Sequence, residues 1–145
     1  MANDQTAILE LLRSRERAVH SGDAEAAIAD VMAGAAIYDL PPPLAYNHDA
    51  GEAVDGLNGW FSTWNGPVSA ELHNPEVQIS GDLAAVWGLS RMRGDKKGQG
   101  PTDIWFRTSV ILRRTRTGWE IIHEHNSVPL KMDGSGAAAV DLKPE

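Results

Sequence analysis

Apolar and polar positions first repeat with a helical period and then, after about residue 68, with a period of two. From Thr6 to His20, Ile8, Leu11, Leu12, Ala18 and Val19 recur at helical spacing with Arg15 on the same stripe, which predicts an amphipathic helix. Asp4 or Thr6 is placed to cap it, Ser21-Gly22 ends it, and Asp23 caps a short Ala-rich second helix from Ala24 to Met32. Ala35 to Asp39 reads as a short strand, stopped by Pro41-Pro42-Pro43, whose residues lack the amide hydrogens a ladder needs. Leu44 to Gly51 reads as a loop, with His48 and Asp49 exposed in it. A third helix from Val54 to Trp64 carries Leu57, Trp60, Phe61 and Trp64 on one face.

Four strands follow: Val68 to Ile79 with a break near Asn74-Pro75, Leu83 to Arg93, Thr102 to Arg114, and Gly118 to Pro129. Ser80-Gly81-Asp82, the polar run from Gly94 to Pro101, and Thr117-Gly118 turn between them. The order predicts an α+β plan, three N-terminal helices packed on a strongly bent, mostly antiparallel sheet, with an internal cavity. Residues 1–130 form this single domain, and Lys131 to Glu145 a loosely held tail.

Period two splits the last strand into two faces. One holds Trp119, Ile121, His123, His125 and Ser127, and the other Glu120, Ile122, Glu124 and Asn126. The first face therefore runs from a core into a polar pocket, with His125 nearer the polar end. The third strand puts Asp103, Trp105, Arg107 and Ser109 on one face, and Ile104, Phe106 and Val110 on the other. By analogy with the last strand, and with the family resemblance given below, Asp103, Trp105 and Arg107 are assigned to the cavity. An Arg in a dry cavity needs a partner, and Asp103, Asp39 or an anionic ligand would serve.

Composition narrows the function. The 145 residues include thirteen basic and twenty acidic side chains, a net charge of -7, so nucleic acid and anionic membrane are poor partners. No cysteine is present, and the chain carries no phosphate loop or dinucleotide fingerprint, so no cofactor is expected. No signal peptide or membrane-length apolar run is seen, and a cytoplasmic location is expected.

The sequence resembles the nuclear transport factor 2-like superfamily, within it the SnoaL-like group of ketosteroid-isomerase homologues. Ser21-Gly22-Asp23, Tyr38-Asp39-Leu40-Pro41-Pro42-Pro43-Leu44, Trp60-Phe61-Ser62-Thr63-Trp64, Asp103-Ile104-Trp105-Phe106-Arg107, and Gly118-Trp119 through Val128-Pro129 carry the resemblance, over residues 6–130. It implies a cone with an internal cavity and places Asp39 where the steroid isomerases keep their proton-moving Asp. Their oxyanion-stabilising Tyr corresponds to about Arg15, and their protonated acid falls near Ser109 or Val110, so steroid isomerisation itself is not expected.

The expected protein binds a small molecule that is partly apolar with a polar or anionic group. Asp39, His125, Arg107 and Asp103 are the candidate catalytic residues, and Tyr38, Trp60, Trp64, Trp105, His123 and Ser127 the candidate ligand contacts. Acid/base chemistry of the isomerase, lyase or hydrolase type fits them. The alternative is a non-catalytic ligand-binding or dimeric interaction module. A metal held by His123 and His125 with Asp39 or Asp103 is weighed and set aside, because local spacing fixes no third ligand. A homodimer is expected through Ile104, Phe106, Val110 and neighbouring residues.

Overall fold

The computed structural model describes residues 3–145. Helix α1 spans Asp4–Ser21, and its N-cap is Asn3, one residue before the expected Asp4, with the Asn3 side chain accepting from the Thr6 amide at 3.0 Å. Gly22 closes it in the left-handed conformation (φ 72°), as the Ser-Gly pair predicts. Asp23 then caps α2, Ala24–Ile28, by accepting from Ala26 at 3.1 Å.

Helix α2 is shorter than its Ala-rich sequence suggests. Strand β1 begins at Val31 and runs to Tyr38, because Asp30 and Val31 are drawn into pairing with Ile121. Tertiary pairing here outweighs local helix propensity. Tyr46–Asn47 forms a two-residue strand, β2, in the stretch expected to be loop. Helix α3 covers Ala50–Phe61, capped by Asp49, which accepts from Glu52 at 3.0 Å.

Strands β3 (Ser69–Ser80), β4 (Leu83–Lys96), β5 (Gly100–Arg114) and β6 (Trp119–Ser127) form the predicted antiparallel meander. The single sheet has the order β2-β1-β6-β5-β4-β3, and β1 lies parallel to β6. The architecture is the expected α+β plan, helices on one face of a curved, mostly antiparallel sheet.

The core fills one end of the concave side. Ile8 and Leu12 of α1 pack on Leu72, Val86, Val110, Leu112, Trp119 and Ile121. Arg114 pins the start of α1 to the sheet by pairing with Asp4 at 2.8 Å and Asp82 at 3.2 Å, and lies over the Trp119 ring. The other end is held by Trp64, which follows α3 and sits under Gly94. A Cβ at Gly94 would meet the Trp64 ring at 2.8 Å, so that position admits glycine only.

The tail folds back after β6. Leu130 pairs with Ala138, and Ala139 is buried. No described helix is long and apolar enough to cross a membrane.

Two irregularities set which side chains enter the concave space. In β3 the register slips between His73 and Glu76, at the Asn74-Pro75 break, where Asn74 has a φ of 45°. In β6 the register slips by one residue: Leu112 faces Ile121, but Ile111 faces His123, leaving Ile122 unpaired as a β-bulge. A one-residue slip exchanges the faces of every residue beyond it. Trp119 and Ile121 point into the core, but past the bulge Glu124 and Asn126 point inward, and His123, His125 and Ser127 outward.

Candidate functional site

The concave side holds a half-open cavity of about 190 Å³. Helix α1 contributes Leu12, Arg15, Glu16 and Val19, and α2 and α3 contribute Ala27, Ile28 and Leu57. The sheet contributes Leu72, Ser90, Phe106, Thr108, Val110, Glu124 and Asn126. The wall is thus apolar with a few polar groups set into it.

Those polar groups form two connected sets. In the first, the Arg15 guanidinium donates to Glu124 Oε2 at 3.1 Å and through Nε to the Ala27 carbonyl at 3.2 Å. Both charged side chains are largely buried, so each depends on the other for compensation. Glu16 is similarly engaged, accepting from the Leu72 amide at 3.0 Å and from Arg13 at 2.9 Å.

The second set crosses three strands and ends just past β1. The Ser90 and Thr108 hydroxyls lie 2.7 Å apart, Thr108 donates to Asn126 Oδ1 at 2.8 Å, and Asn126 Nδ2 donates to Asp39 Oδ1 at 3.3 Å. The same Asp39 oxygen accepts from the Leu40 amide at 2.8 Å. Asp39 Oδ1 is therefore fixed by two donors, which leaves Oδ2 for proton exchange. Burial pushes the Asp39 carboxyl above the ordinary carboxylate range, and the nearby Glu124 charge adds to the push.

Two further groups border this end. Tyr46 pairs with Ile37 and so shares the concave side with Asp39. Burial raises the Tyr46 phenol, and the charges of Asp39 and Glu124 raise it further, so it stays protonated and can donate a hydrogen bond. His48, expected as an exposed loop residue, is 7% exposed. Its backbone is tied to Gly34 and Ala35, and burial, assisted by the Arg15 charge, lowers its imidazole toward the neutral form.

Of the four catalytic candidates from sequence, none lines the cavity, and one touches a residue that does. Asp39 is joined to the wall through Asn126. Strand β5 pairs with β4 in unbroken register from Gly100 to Arg113, so its inward residues are Phe106, Thr108, Val110 and Leu112. Asp103, Trp105 and Arg107 consequently face out, contrary to their assignment to the cavity, which rested on the phase of β6 without its bulge. Asp103 pairs with Arg91 through two bonds of 2.8 and 2.6 Å, which hold its carboxyl below the usual range, and Arg91 lies over the Trp105 ring.

Tyr38, His123 and His125 form a second outward cluster. The Tyr38 ring stands edge-on to both imidazoles, at 4.7 and 5.4 Å, and His123 Nδ1 donates to the Ala36 carbonyl at 2.6 Å. Ser127 follows them on the outer face, opposite Arg107. Trp60 and Trp64 pack edge-on, 5.7 Å apart, outside the cavity lining. Among the described residues no three His, Cys, Asp or Glu side chains converge as metal ligands.

The residues expected at a dimer contact lie on the concave face. Phe106 and Val110 are buried against the concave space, and Ile104 shares their face.

Glu124, Asn126, Thr108, Ser90 and Tyr46 went unrecognised from sequence. A residue-by-residue test of β6 with one extra residue inserted would have brought Glu124 and Asn126 inward together with Trp119 and Ile121.

Comparison with known proteins agrees with the fold. No curated protein matches the chain. An NTF2-like protein of unknown function from Pseudomonas putida KT2440 superposes with a TM-score of 0.81 at 27% identity, over 94% of each chain. A provisionally named dehydratase of the NTF2-like family from Streptomyces avermitilis gives 0.72 at 17% identity, over 88% of this chain and 98% of that one. An NTF2-like protein with a cystatin-like fold from Novosphingobium aromaticivorans gives 0.69 at 23% identity, over 93% and 86%. Residues 8–131 match the SnoaL-like domain, and the chain belongs to that family, within the NTF2-like superfamily.

Proposed function

We propose that the concave cavity binds a small molecule and that Asp39 exchanges a proton with it, in an isomerase- or lyase-type reaction. The observation that carries this reading is the state of Asp39: a desolvated carboxyl with Oδ1 pinned by Leu40 and Asn126 and Oδ2 left free. A raised carboxyl pKa brings such a group closer to the pH at which it can both take and return a proton. Tyr46 supplies the donor for a developing oxyanion or a departing hydroxyl. The Streptomyces relative named as a dehydratase is consistent with loss of water as the net reaction.

The test is a panel of hydroxyketones in deuterium oxide, with deuterium uptake and water loss followed by NMR. Asp39→Asn is expected to lower the rate by about a hundredfold or more, and His125→Asn to leave it unchanged. Loss of activity in His125→Asn with full activity in Asp39→Asn contradicts the assignment.

A second reading, ligand capture without chemistry, draws support from Arg15. Its guanidinium is already engaged by Glu124 and the Ala27 carbonyl, so it adds little to stabilising new negative charge. Wild-type protein that binds small molecules yet is inert across the panel favours this reading.

The outer sheet face is proposed to pair two copies of the chain. Trp87, Leu89 and Ile111 are exposed there beside Trp105, an apolar patch of the kind that marks association sites. Sedimentation at micromolar concentration reads this directly.

A further inference from the structure

As long as Asp39 Oδ1 carries no proton, the hydrogen bonds between Asp39 and Ser90 run in one direction. Asp39 Oδ1 accepts from Leu40 and Asn126, and it still accepts when a proton sits on Oδ2. Asn126 must therefore present its amino group to Asp39 and its carbonyl oxygen to Thr108. Thr108 has a single hydroxyl proton, and it is given to Asn126. In the 2.7 Å contact with Ser90, Thr108 can then only accept, so the Ser90 proton is spent as well. Ser90 lines the cavity and is 5% exposed, and what it offers a ligand is a lone pair.

The charges of the wall add a second restriction. Arg15 is matched by Glu124 and Arg13 by Glu16, while Asp39 has no cationic partner in contact among the described residues. Where the charges near the cavity are matched except for one carboxyl, an anionic ligand meets repulsion and finds no free cation.

We propose that the cavity selects uncharged, partly apolar molecules carrying a hydroxyl group, and that Ser90 Oγ accepts the hydrogen bond of that hydroxyl. Ser90 is then a specificity-determining contact and Thr108 a positioning residue that fixes its polarity. This inference rests on the cavity being the ligand site. It requires Asp39 Oδ1 to be an acceptor and requires no catalytic role of Asp39.

The probes are p-cresol, 4-methylanisole and 4-methylbenzoate, single rings of a size suited to this cavity that differ in offering a donor, an acceptor or an anion. Dissociation constants come from side-chain methyl shifts in NMR titrations. The wild type should bind p-cresol about tenfold more tightly than 4-methylanisole, and 4-methylbenzoate most weakly, because the ether leaves Ser90 facing a second lone pair. Ser90→Ala should make p-cresol and 4-methylanisole equal by weakening p-cresol. Thr108→Val should narrow the gap from the other side, strengthening 4-methylanisole, because the Ser90 hydroxyl is released to donate. A role of Thr108 in packing alone would not raise the affinity of the ether.

Equal binding of p-cresol and 4-methylanisole by the wild type, or tightest binding of 4-methylbenzoate, overturns the inference while the cavity stands as a binding site. Failure of all three to bind overturns the inference and the cavity reading together.

Discussion

The two faces of β5 and β6 carry similar chemistry in opposite settings. Outside, Asp103 and Arg91 pair with good geometry and Tyr38 meets two imidazoles, but these groups stand at the surface. Inside, Arg15 with Glu124, and Asp39 with Asn126, Thr108 and Ser90, occupy an apolar hollow. Residue type does not separate the two. The difference is desolvation, which screens little, makes each partner indispensable and shifts a carboxyl pKa. A polar constellation in a sheet becomes a candidate site through the face it occupies, and here one unpaired residue, Ile122, decides the face.

The sharpest contrast should come from the two ion pairs. Arg15→Met leaves Glu124 without its partner in a largely enclosed space and should destabilise the fold by about 3 kcal/mol. Arg91→Met breaks a solvent-screened pair and should change stability far less. Urea unfolding of both variants measures the difference, and equal losses would dissolve the distinction between the faces.

Asp39 gives a smaller effect with a definite sign. Burial raises its folded pKa above the unfolded value near 3.8, so folding favours the protonated carboxyl. The stabilising contribution is complete below the unfolded pKa and is lost as pH rises through the folded one, by about 1.4 kcal/mol for each unit between them. Asp39→Asn removes this titration and keeps an acceptor for Leu40 and Asn126. The variant should be more stable than wild type at pH 7, with the advantage shrinking as pH falls through that window. Thermal unfolding across the range checks it, and an advantage that grows in acid would contradict the burial of Asp39.

The outer face should be almost silent in stability. Trp87→Arg should alter unfolding by less than about 0.5 kcal/mol, as for most surface changes, and the proposed pairing through this face predicts a dimer for the wild type and a monomer for the variant in sedimentation. A variant that remains dimeric places the contact elsewhere.

The element order was legible because each signal was local. The helical stripe of α1, the Gly22-Asp23 turn, the Ser80-Gly81-Asp82 turn and the stop at the triproline all lie in contiguous residues. The place of Asp39 in the chain, just after a strand and before the prolines, was legible for the same reason. The β3 irregularity announced itself through Asn74-Pro75. The β6 bulge did not, because Ile122 is an ordinary strand residue and its displacement is imposed by pairing with β5 and β1. That hidden slip turned His123, His125 and Ser127 outward and, carried by analogy into β5, misplaced Asp103, Trp105 and Arg107. Tyr46 escaped because a two-residue strand leaves no periodicity to read.

The face that binds can be identified directly by intermolecular NOEs between p-cresol and side-chain methyls, since the aliphatic residues of the two faces are distinct. Contacts to Leu12, Leu57, Leu72 and Val110, with none to Leu89 and Ile111, are predicted for a ligand in the concave cavity. Contacts confined to Leu89 and Ile111 would place binding on the outer face and contradict the account.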